Sequence, residues 1–336
     1  MWASYPTGWL LDISGPEHRA FAVGISETAG YTASALFSLA AAALIDESAK
    51  SYKNPQWLVL AMMLFGLLLS FLLVETKPAA KAAEPGAAKA APAAAYIEWP
   101  SGRRDKVNFP MAVFSYTSVM RGALCAVAVA GIITNTLTGL DWGIVTQWYK
   151  RKAVQGGLAL TKDQVAQATL AYEITKGAIQ WLAGFASDRM GRRAQVVIGM
   201  LVQGCALLIL VLAGIYAGAG SSLTFDLLVW GSFTLGLGTG TLYPVLLACV
   251  SDWAEPEWRS TALGSYRFWR DLGFAIGGII AAGIADTYGT AVALSVFVGV
   301  CWLSAAQFWF FYKDPSEECV QLPAEEAQKL KEVAAA

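Results

Sequence analysis

A ten-residue run between two long apolar stretches constrains this chain more than any other feature. Gly184 to Arg193 reads Gly-Phe-Ala-Ser-Asp-Arg-Met-Gly-Arg-Arg, with one acidic residue and three arginines. Charged side chains at this density are too costly to place in hydrocarbon. The run therefore predicts a tight turn on the water side of a membrane, joining two helices that cross it.

The composition agrees with a membrane protein and excludes several other classes. Of the 336 residues, 56% are hydrophobic and only 15% are charged, against about 25% charged in soluble domains. A net charge of −1 argues against a nucleic-acid partner, which needs a basic surface. The single histidine, and five cysteines without a Cys-x-x-Cys pair, predict no metal site, no cofactor and no enzyme active site.

The apolar segments predict an all-α integral membrane protein surrounded by lipid. A spanning helix needs about 20 mostly apolar residues. Eight segments approach this requirement, and they lie near 20–45, 57–75, 119–148, 164–187, 194–217, 225–250, 261–285 and 290–312. The tract that begins at Pro78, rich in Ala, Lys and Pro, has nothing large to bury and predicts a linker.

An internal repeat divides the chain into related parts. Residues 12–46 align without a gap over 252–286, at a constant offset of 240, with ten identical residue types in thirty-five positions. The motif Asp-x-x-x-Pro-Glu-x-Arg occurs in both copies, from Asp12 and from Asp252. Two equivalent halves are one way in which secondary transporters are built.

The charged run and the repeat together resemble the major facilitator superfamily. The loop signature Gly-x-x-x-Asp-Arg-x-Gly-Arg-Arg is filled at every fixed position from Gly184 to Arg193. The resemblance implies a secondary transporter that moves a small solute by alternating access, through symport or antiport, with protons as the expected coupling ion. The alternative is a truncated, non-transporting membrane partner that lacks part of the cavity wall.

The resemblance also implies a domain plan. It assigns 1–76 to two helices of an N-terminal half, 77–110 to a cytoplasmic linker, 111–315 to a complete six-helix C-terminal half, and 316–336 to a cytoplasmic tail. The helices of the N-terminal half that precede these two are expected on the full-length chain, as partners of this part. Regions expected inside hold fourteen Lys and Arg, against six in regions expected outside. This bias favours a cytoplasmic C-terminus, in a bacterial inner membrane.

Three groups of candidate site residues follow. Charges within or at the ends of spans are functional candidates, namely Glu173, Lys176, Glu27, Arg267, Arg270 and Asp271. The resemblance implies a cytoplasmic latch formed by Gly184, Asp188, Arg189, Gly191, Arg192 and Arg193. It also implies a cargo cavity lined by Asn135, Thr138, Asp141, Gln147 and Tyr243.

Several roles stay open at this point. Glu173 and Lys176 lie three apart on one helix face. They are either a mutually neutralised pair, a coupling carboxylate held by a cation, or a lysine for an anionic cargo. Glu27 and Arg267 are repeat equivalents, which either form a gate or anchor helix ends. Asp188 is expected to face the N-terminus of the first segment, near residues 18–24, where unpaired N–H groups favour an anion.

Overall fold

A computed structural model describes residues 4–43, 53–71, 96–98, 104–106, 110–218, 223–255 and 258–315. The predicted tail 316–336 and most of the predicted linker lie outside these residues. The described chain is almost entirely helical. The exception is a short antiparallel pair, β1 (Tyr96–Glu98) and β2 (Arg104–Lys106), in which Ile97 lies opposite Asp105. The sequence analysis did not predict this hairpin.

The helices follow the predicted segments closely. In chain order they are α1 (Ser4–Ile13), α2 (Arg19–Ala43), α3 (Lys53–Ser70), α4 (Pro110–Ser115), α5 (Gly122–Leu140), α6 (Thr146–Lys150), α7 (Lys162–Met190), α8 (Arg192–Gly218), α9 (Leu223–Trp253), α10 (Arg259–Tyr288) and α11 (Thr290–Phe311). Short 3₁₀ turns at Pro16–His18 and Ala153–Gln155 precede α2 and α7.

Five described helices are long and apolar enough to cross a membrane. They cover Gly122–Lys150, Arg192–Tyr216, Leu223–Trp253, Arg259–Tyr288 and Thr290–Phe311. The other three predicted spans also form helices, α2, α3 and α7. The long helix α7 is too polar for this criterion because it carries Glu173, Lys176 and Asp188 within its length. The integral membrane character is therefore clear, and the number of eight spans stays a prediction.

The predicted segment 119–148 is interrupted. After α5 the backbone makes a π-helical turn at Asp141–Val145 and continues as α6. Thr146 Oγ donates to the Asp141 carbonyl at 2.7 Å, which satisfies an acceptor at the altered turn. A second π turn, Tyr116–Met120, joins α4 to α5. Hydrophobic periodicity does not reveal such turns, because a single inserted residue leaves the apolar pattern almost unchanged.

The chain divides into two compact units. The larger holds residues 1–31 and 96–336, and the smaller holds 32–95. In the larger unit α9 packs against α7 and α8, α10 packs against α5, and α11 packs against α8. Its buried side chains form two apolar clusters, around Leu246 and Trp253 and around Leu210 and Phe297. In the smaller unit α3 is apolar with exposed side chains such as Trp57 and Met63.

Candidate transport site and charged turn

The charged turn between α7 and α8 depends on one glycine. Helix α7 ends at Met190, Gly191 adopts φ +91°, and α8 begins at Arg192. Residues that have a Cβ rarely adopt a positive φ of this kind. The Gly191 N–H donates to the Ser187 carbonyl at 3.1 Å, which closes the end of α7. The glycine thus reverses the chain within a single residue.

Asp188 lies at the N-terminus of α2. Its Oδ2 accepts a hydrogen bond from the Phe21 N–H at 2.9 Å, and its Oδ1 accepts from the Ala20 N–H at 3.3 Å. Arg192 Nη1 donates to the same Oδ1 at 2.5 Å. These N–H groups belong to the first turn of α2, where a helix has no acceptors of its own. The contact expected near residues 18–24 is therefore present, and its role as a latch stays a prediction.

Two ion pairs extend from this contact. Arg192 Nε lies 2.9 Å from Asp252 Oδ2, and Arg19 Nη1 lies 3.3 Å from Asp252 Oδ1. Arg192 and Arg19 are both buried. Arg19 comes from the first copy of the repeated motif and Asp252 from the second. A continuous charge network therefore joins the signature turn to both copies of the repeat.

The other latch candidates make different contacts. Arg193 donates to the Trp309 carbonyl through Nε at 2.8 Å, and its guanidinium lies 4.2 Å from the centre of the Trp309 ring. The Arg189 guanidinium lies 4.0 Å from the centre of the Phe185 ring. Gly184 faces the backbone of α2, where an added Cβ would be 2.9 Å from Phe21 Cα. Gly184 and Asp188 thus contact α2, whereas Arg193 contacts α11 and Arg189 contacts its own helix α7.

Lys176 lies at the centre of a cluster of aromatic rings. The residue is fully buried, and its Nζ has no hydrogen-bond partner among the described residues. Nζ lies 4.3 Å from the centre of the Tyr31 ring, 5.2 Å from Trp142, and 5.3 Å from each of Tyr172 and Tyr243. These distances are within the range of cation–π attraction. The rings come from α2, α7, α9 and the π turn after α5.

Glu173 does not pair with Lys176 in the part of the chain that the structure describes. Instead it accepts a hydrogen bond from Trp142 Nε1 at 2.6 Å. The Trp142 ring stacks on Phe274 of α10, with 5.7 Å between ring centres. The two residues therefore do not form a direct ion pair, and Trp142 lies beside both of them.

The predicted polar stripe of α5 forms a hydrogen-bonded chain beside this cluster. The Tyr243 hydroxyl donates to Asn135 Oδ1. The Tyr172 hydroxyl donates to Thr138 Oγ at 3.0 Å, and Thr138 Oγ also lies 3.4 Å from the Tyr243 hydroxyl. Asn135 Nδ2 donates to Asp271 Oδ1 at 3.3 Å. Asn135, Thr138 and Tyr243 thus lie in one hydrogen-bonded chain beside Lys176, and their role as a cargo cavity stays a prediction.

The charged residues of α10 extend the cluster. Arg270 Nη2 lies 2.9 Å from Asp271 Oδ1, and the Arg270 guanidinium lies 5.3 Å from the centre of the Tyr243 ring. Arg267 Nη2 lies 3.8 Å from Glu27 Oε1, and it donates a hydrogen bond to Thr7 Oγ at 3.0 Å. The repeat equivalents Glu27 and Arg267 are thus joined across α2 and α10.

The remaining cavity candidates differ from each other. Asp141 is buried, and its Oδ2 has no hydrogen-bond partner among the described residues. Gln147 is exposed on α6 and lies outside the cluster in the described contacts. The sequence analysis missed Tyr31, Trp142 and Tyr172 as neighbours of Lys176. The spacing of Tyr172 and Lys176, four apart on one helix face, could have indicated that contact.

A charged turn between two helices and a buried polar cluster, in a helical membrane protein, are features of a solute carrier. The sequence profile described as "Major Facilitator Superfamily" matches residues 131–334. The chain belongs to this family, whose members are transporters and not enzymes.

Two curated relatives can be named. The chain is 27% identical over 180 residues to a hexuronate transporter of Bacillus subtilis, which covers 52% of this chain and 40% of the relative. It is 28% identical over 173 residues to a probable sulfoacetate transporter of Cupriavidus necator, which covers 52% of this chain and 38% of the relative. The aligned part thus spans less than half the length of either relative.

Proposed function

We propose that this protein carries a small organic anion across a membrane by alternating access, in symport with protons. The buried ammonium group of Lys176 carries this proposal. An ionised side chain without a hydrogen-bond partner is costly to bury, and the aromatic rings around it offset only part of this cost. A negatively charged cargo would supply the missing partner.

The relatives support the same class of cargo. One is named for a hexuronate and the other for sulfoacetate. A hexuronate carries a carboxylate, and sulfoacetate carries a carboxylate and a sulfonate. The polar groups next to Lys176, on Asn135, Thr138 and Tyr243, suit the hydroxyl and anionic oxygens of such molecules.

The finer architecture belongs to this proposal. It has eight spanning helices, with 1–76 in an N-terminal half, 77–110 as linker, 111–315 as the six-helix C-terminal half, and 316–336 as tail. The C-terminus lies in the cytoplasm, and the membrane is a bacterial inner membrane. The remaining helices of the N-terminal half would complete the cavity wall. The helical bundle of 110–218, 223–255 and 258–315 supports the C-terminal half.

A flux assay tests the proposal. The protein, expressed from its complete gene, is reconstituted in liposomes with an imposed proton gradient, and uptake of radiolabelled glucuronate and sulfoacetate is measured. We expect Lys176→Met to reduce uptake about a hundredfold or more, because losing one member of a buried charge pair costs about 3–5 kcal/mol. Lys162→Met is the matched control, since Lys162 is exposed at the start of the same helix, and it should transport normally.

Two outcomes would oppose the proposal. Normal uptake by a folded Lys176→Met protein would remove Lys176 from the cargo site. Absence of flux for every anion tested, with the protein inserted and folded, would favour a non-transporting membrane partner.

A further inference from the structure

Asp141 is an acidic residue that the cargo site alone does not explain. It is 3% exposed, and its Oδ2 has no hydrogen-bond partner in the described ranges. It opens the π turn between α5 and α6, where Thr146 already satisfies the Asp141 backbone carbonyl. A carboxylate oxygen in this position is shielded from bulk solvent and accepts no hydrogen bond from the described residues. The neutral, protonated form avoids that cost.

The groups that face Asp141 come from several elements. Helix α7 provides Lys176, Glu173 and the Tyr172 hydroxyl, and α6 provides the Tyr149 hydroxyl, all of which interact electrostatically with Asp141.

The other helices packed against this region either bring their titratable groups to α5 at positions away from Asp141 or carry no charged group. The Arg270–Asp271 pair of α10 and Tyr243 of α9 reach α5 at Asn135. The described part of α11 holds only the thiol of Cys301. Among the described residues, Lys176 is therefore the cation that interacts with Asp141.

Burial and the charge of Lys176 have opposite effects on the binding of a proton by Asp141. Burial favours the protonated form, and the ammonium of Lys176 favours the ionised form. When an anion neutralises Lys176, the stabilisation of the ionised form is lost and burial prevails. Anion binding then promotes proton binding, and by reciprocity proton binding promotes anion binding.

Glu173 is less suited to bind the proton. It is only partly buried, and Trp142 Nε1 donates a hydrogen bond to its carboxylate. The Glu173 carboxylate therefore already has a partner, whereas Asp141 Oδ2 has none among the described residues. Asp141, Glu173 and Lys176 together provide two acidic groups and one basic group. An added anion would raise the negative charge further unless a proton enters with it.

We propose that Asp141 is the proton-binding site of this carrier, and that its proton enters together with the anion held by Lys176. This assignment rests on the proposed function and replaces Glu173, which the sequence suggested as the coupling carboxylate. No bond other than the O–H bond of Asp141 forms or breaks. One proton and one anion thus occupy the site together and leave it together.

Equilibrium binding of glucuronate and sulfoacetate to the purified protein provides the first test. Affinity of the unmodified protein should fall as pH rises from about 5 to 9, approaching about tenfold per pH unit once Asp141 is ionised. Asp141→Asn, which resembles the protonated form, should bind with little dependence on pH. Glu173→Gln should keep the pH slope, whatever its affinity. A full slope in Asp141→Asn, or its loss in Glu173→Gln, would overturn the assignment.

Carbodiimide labelling gives a second test that needs no variant. Dicyclohexylcarbodiimide reacts with protonated carboxyl groups in apolar surroundings, and peptide mass spectrometry locates the product. We expect labelling of Asp141 that decreases as pH rises and increases when glucuronate is added. Labelling of Glu173 with Asp141 unmodified would overturn the proposal. If neither anion binds yet the labelling of Asp141 decreases as pH rises, the anionic cargo is wrong and the proton site stands.

Discussion

At the residue scale, the contact of Asp188 with α2 predicts a link between the signature turn and conformational change. Its two carboxylate oxygens accept from the Ala20 and Phe21 N–H groups, and this geometry requires α2 and α7 to lie together. We expect the contact to exist only while the cytoplasmic side is closed. Asp188→Asn removes charge-assisted bonds that contribute about 1.5–3 kcal/mol. The population should then shift about ten- to a hundredfold toward the inward-open state.

Thiol accessibility measures this shift. In a background without the five native cysteines, Leu247→Cys places a thiol one turn from Tyr243 on α9, in the closed interior. Its labelling from the cytoplasmic side should accelerate when Asp188→Asn is added. Asp286→Asn, an exposed carboxylate near the end of α10, should leave the rate unchanged. Equal labelling with and without Asp188→Asn, in a folded protein, would leave the turn with an orientation role only.

The contacts of single residues differ in whether they could be predicted from the sequence. Asp188 was predictable because a motif and a helix N-terminus both specify its partner. The environment of Lys176 was not, since Tyr31 lies 145 positions away in the numbering and only tertiary packing brings the two together. For the same reason the sequence suggested Glu173, a near neighbour along the helix, as one possible partner of Lys176, whereas Trp142 binds Glu173.

At the scale of helices, close packing of α2 on α7 depends on glycine. A Cβ at Gly24 would be 2.9 Å from Trp181 Cα, a backbone atom that cannot move without the helix. Gly24→Ala should therefore separate the helices and destabilise the folded protein by about 1–3 kcal/mol. Gly30→Ala on the same helix meets nothing within 4 Å and gains helix propensity of up to about 1 kcal/mol.

Thermal unfolding of the two variants in detergent checks this prediction. The midpoint should fall for Gly24→Ala and stay constant or rise for Gly30→Ala. Equal midpoints would show that the two helices can move apart at no cost, and would contradict the tight contact.

Helices were predicted from sequence more reliably than their irregularities. Long apolar segments indicated α5 and α8 to α11. A segment that crosses hydrocarbon must satisfy its backbone hydrogen bonds internally, and a helix does so. The π turn at Asp141–Val145 and the Thr161–Gln164 capping box at the start of α7 depend on local hydrogen bonds that an apolar pattern does not encode. The π turn positions both Asp141 and Trp142 near Lys176, the residue that we propose holds the anion.

At the scale of the whole molecule, the repeat was the most informative long-range signal. Its offset of 240 residues relates Arg19 to Arg259, and both are fully buried at the starts of α2 and α10. Equivalent positions in two copies thus have equivalent burial.

The distribution of basic residues predicts the orientation of the protein in the membrane. Fourteen Lys and Arg on one side against six on the other favour a cytoplasmic turn at Met190 and an external loop at Val154. Both side chains are accessible, at 61% and 92% exposure. In intact cells producing a protein without native cysteines, a membrane-impermeant maleimide should label Val154→Cys. It should label Met190→Cys only after the cells are opened. The cluster Lys150–Lys152 opposes this orientation, so the reverse labelling pattern would mean that these three charges outweigh the signature turn.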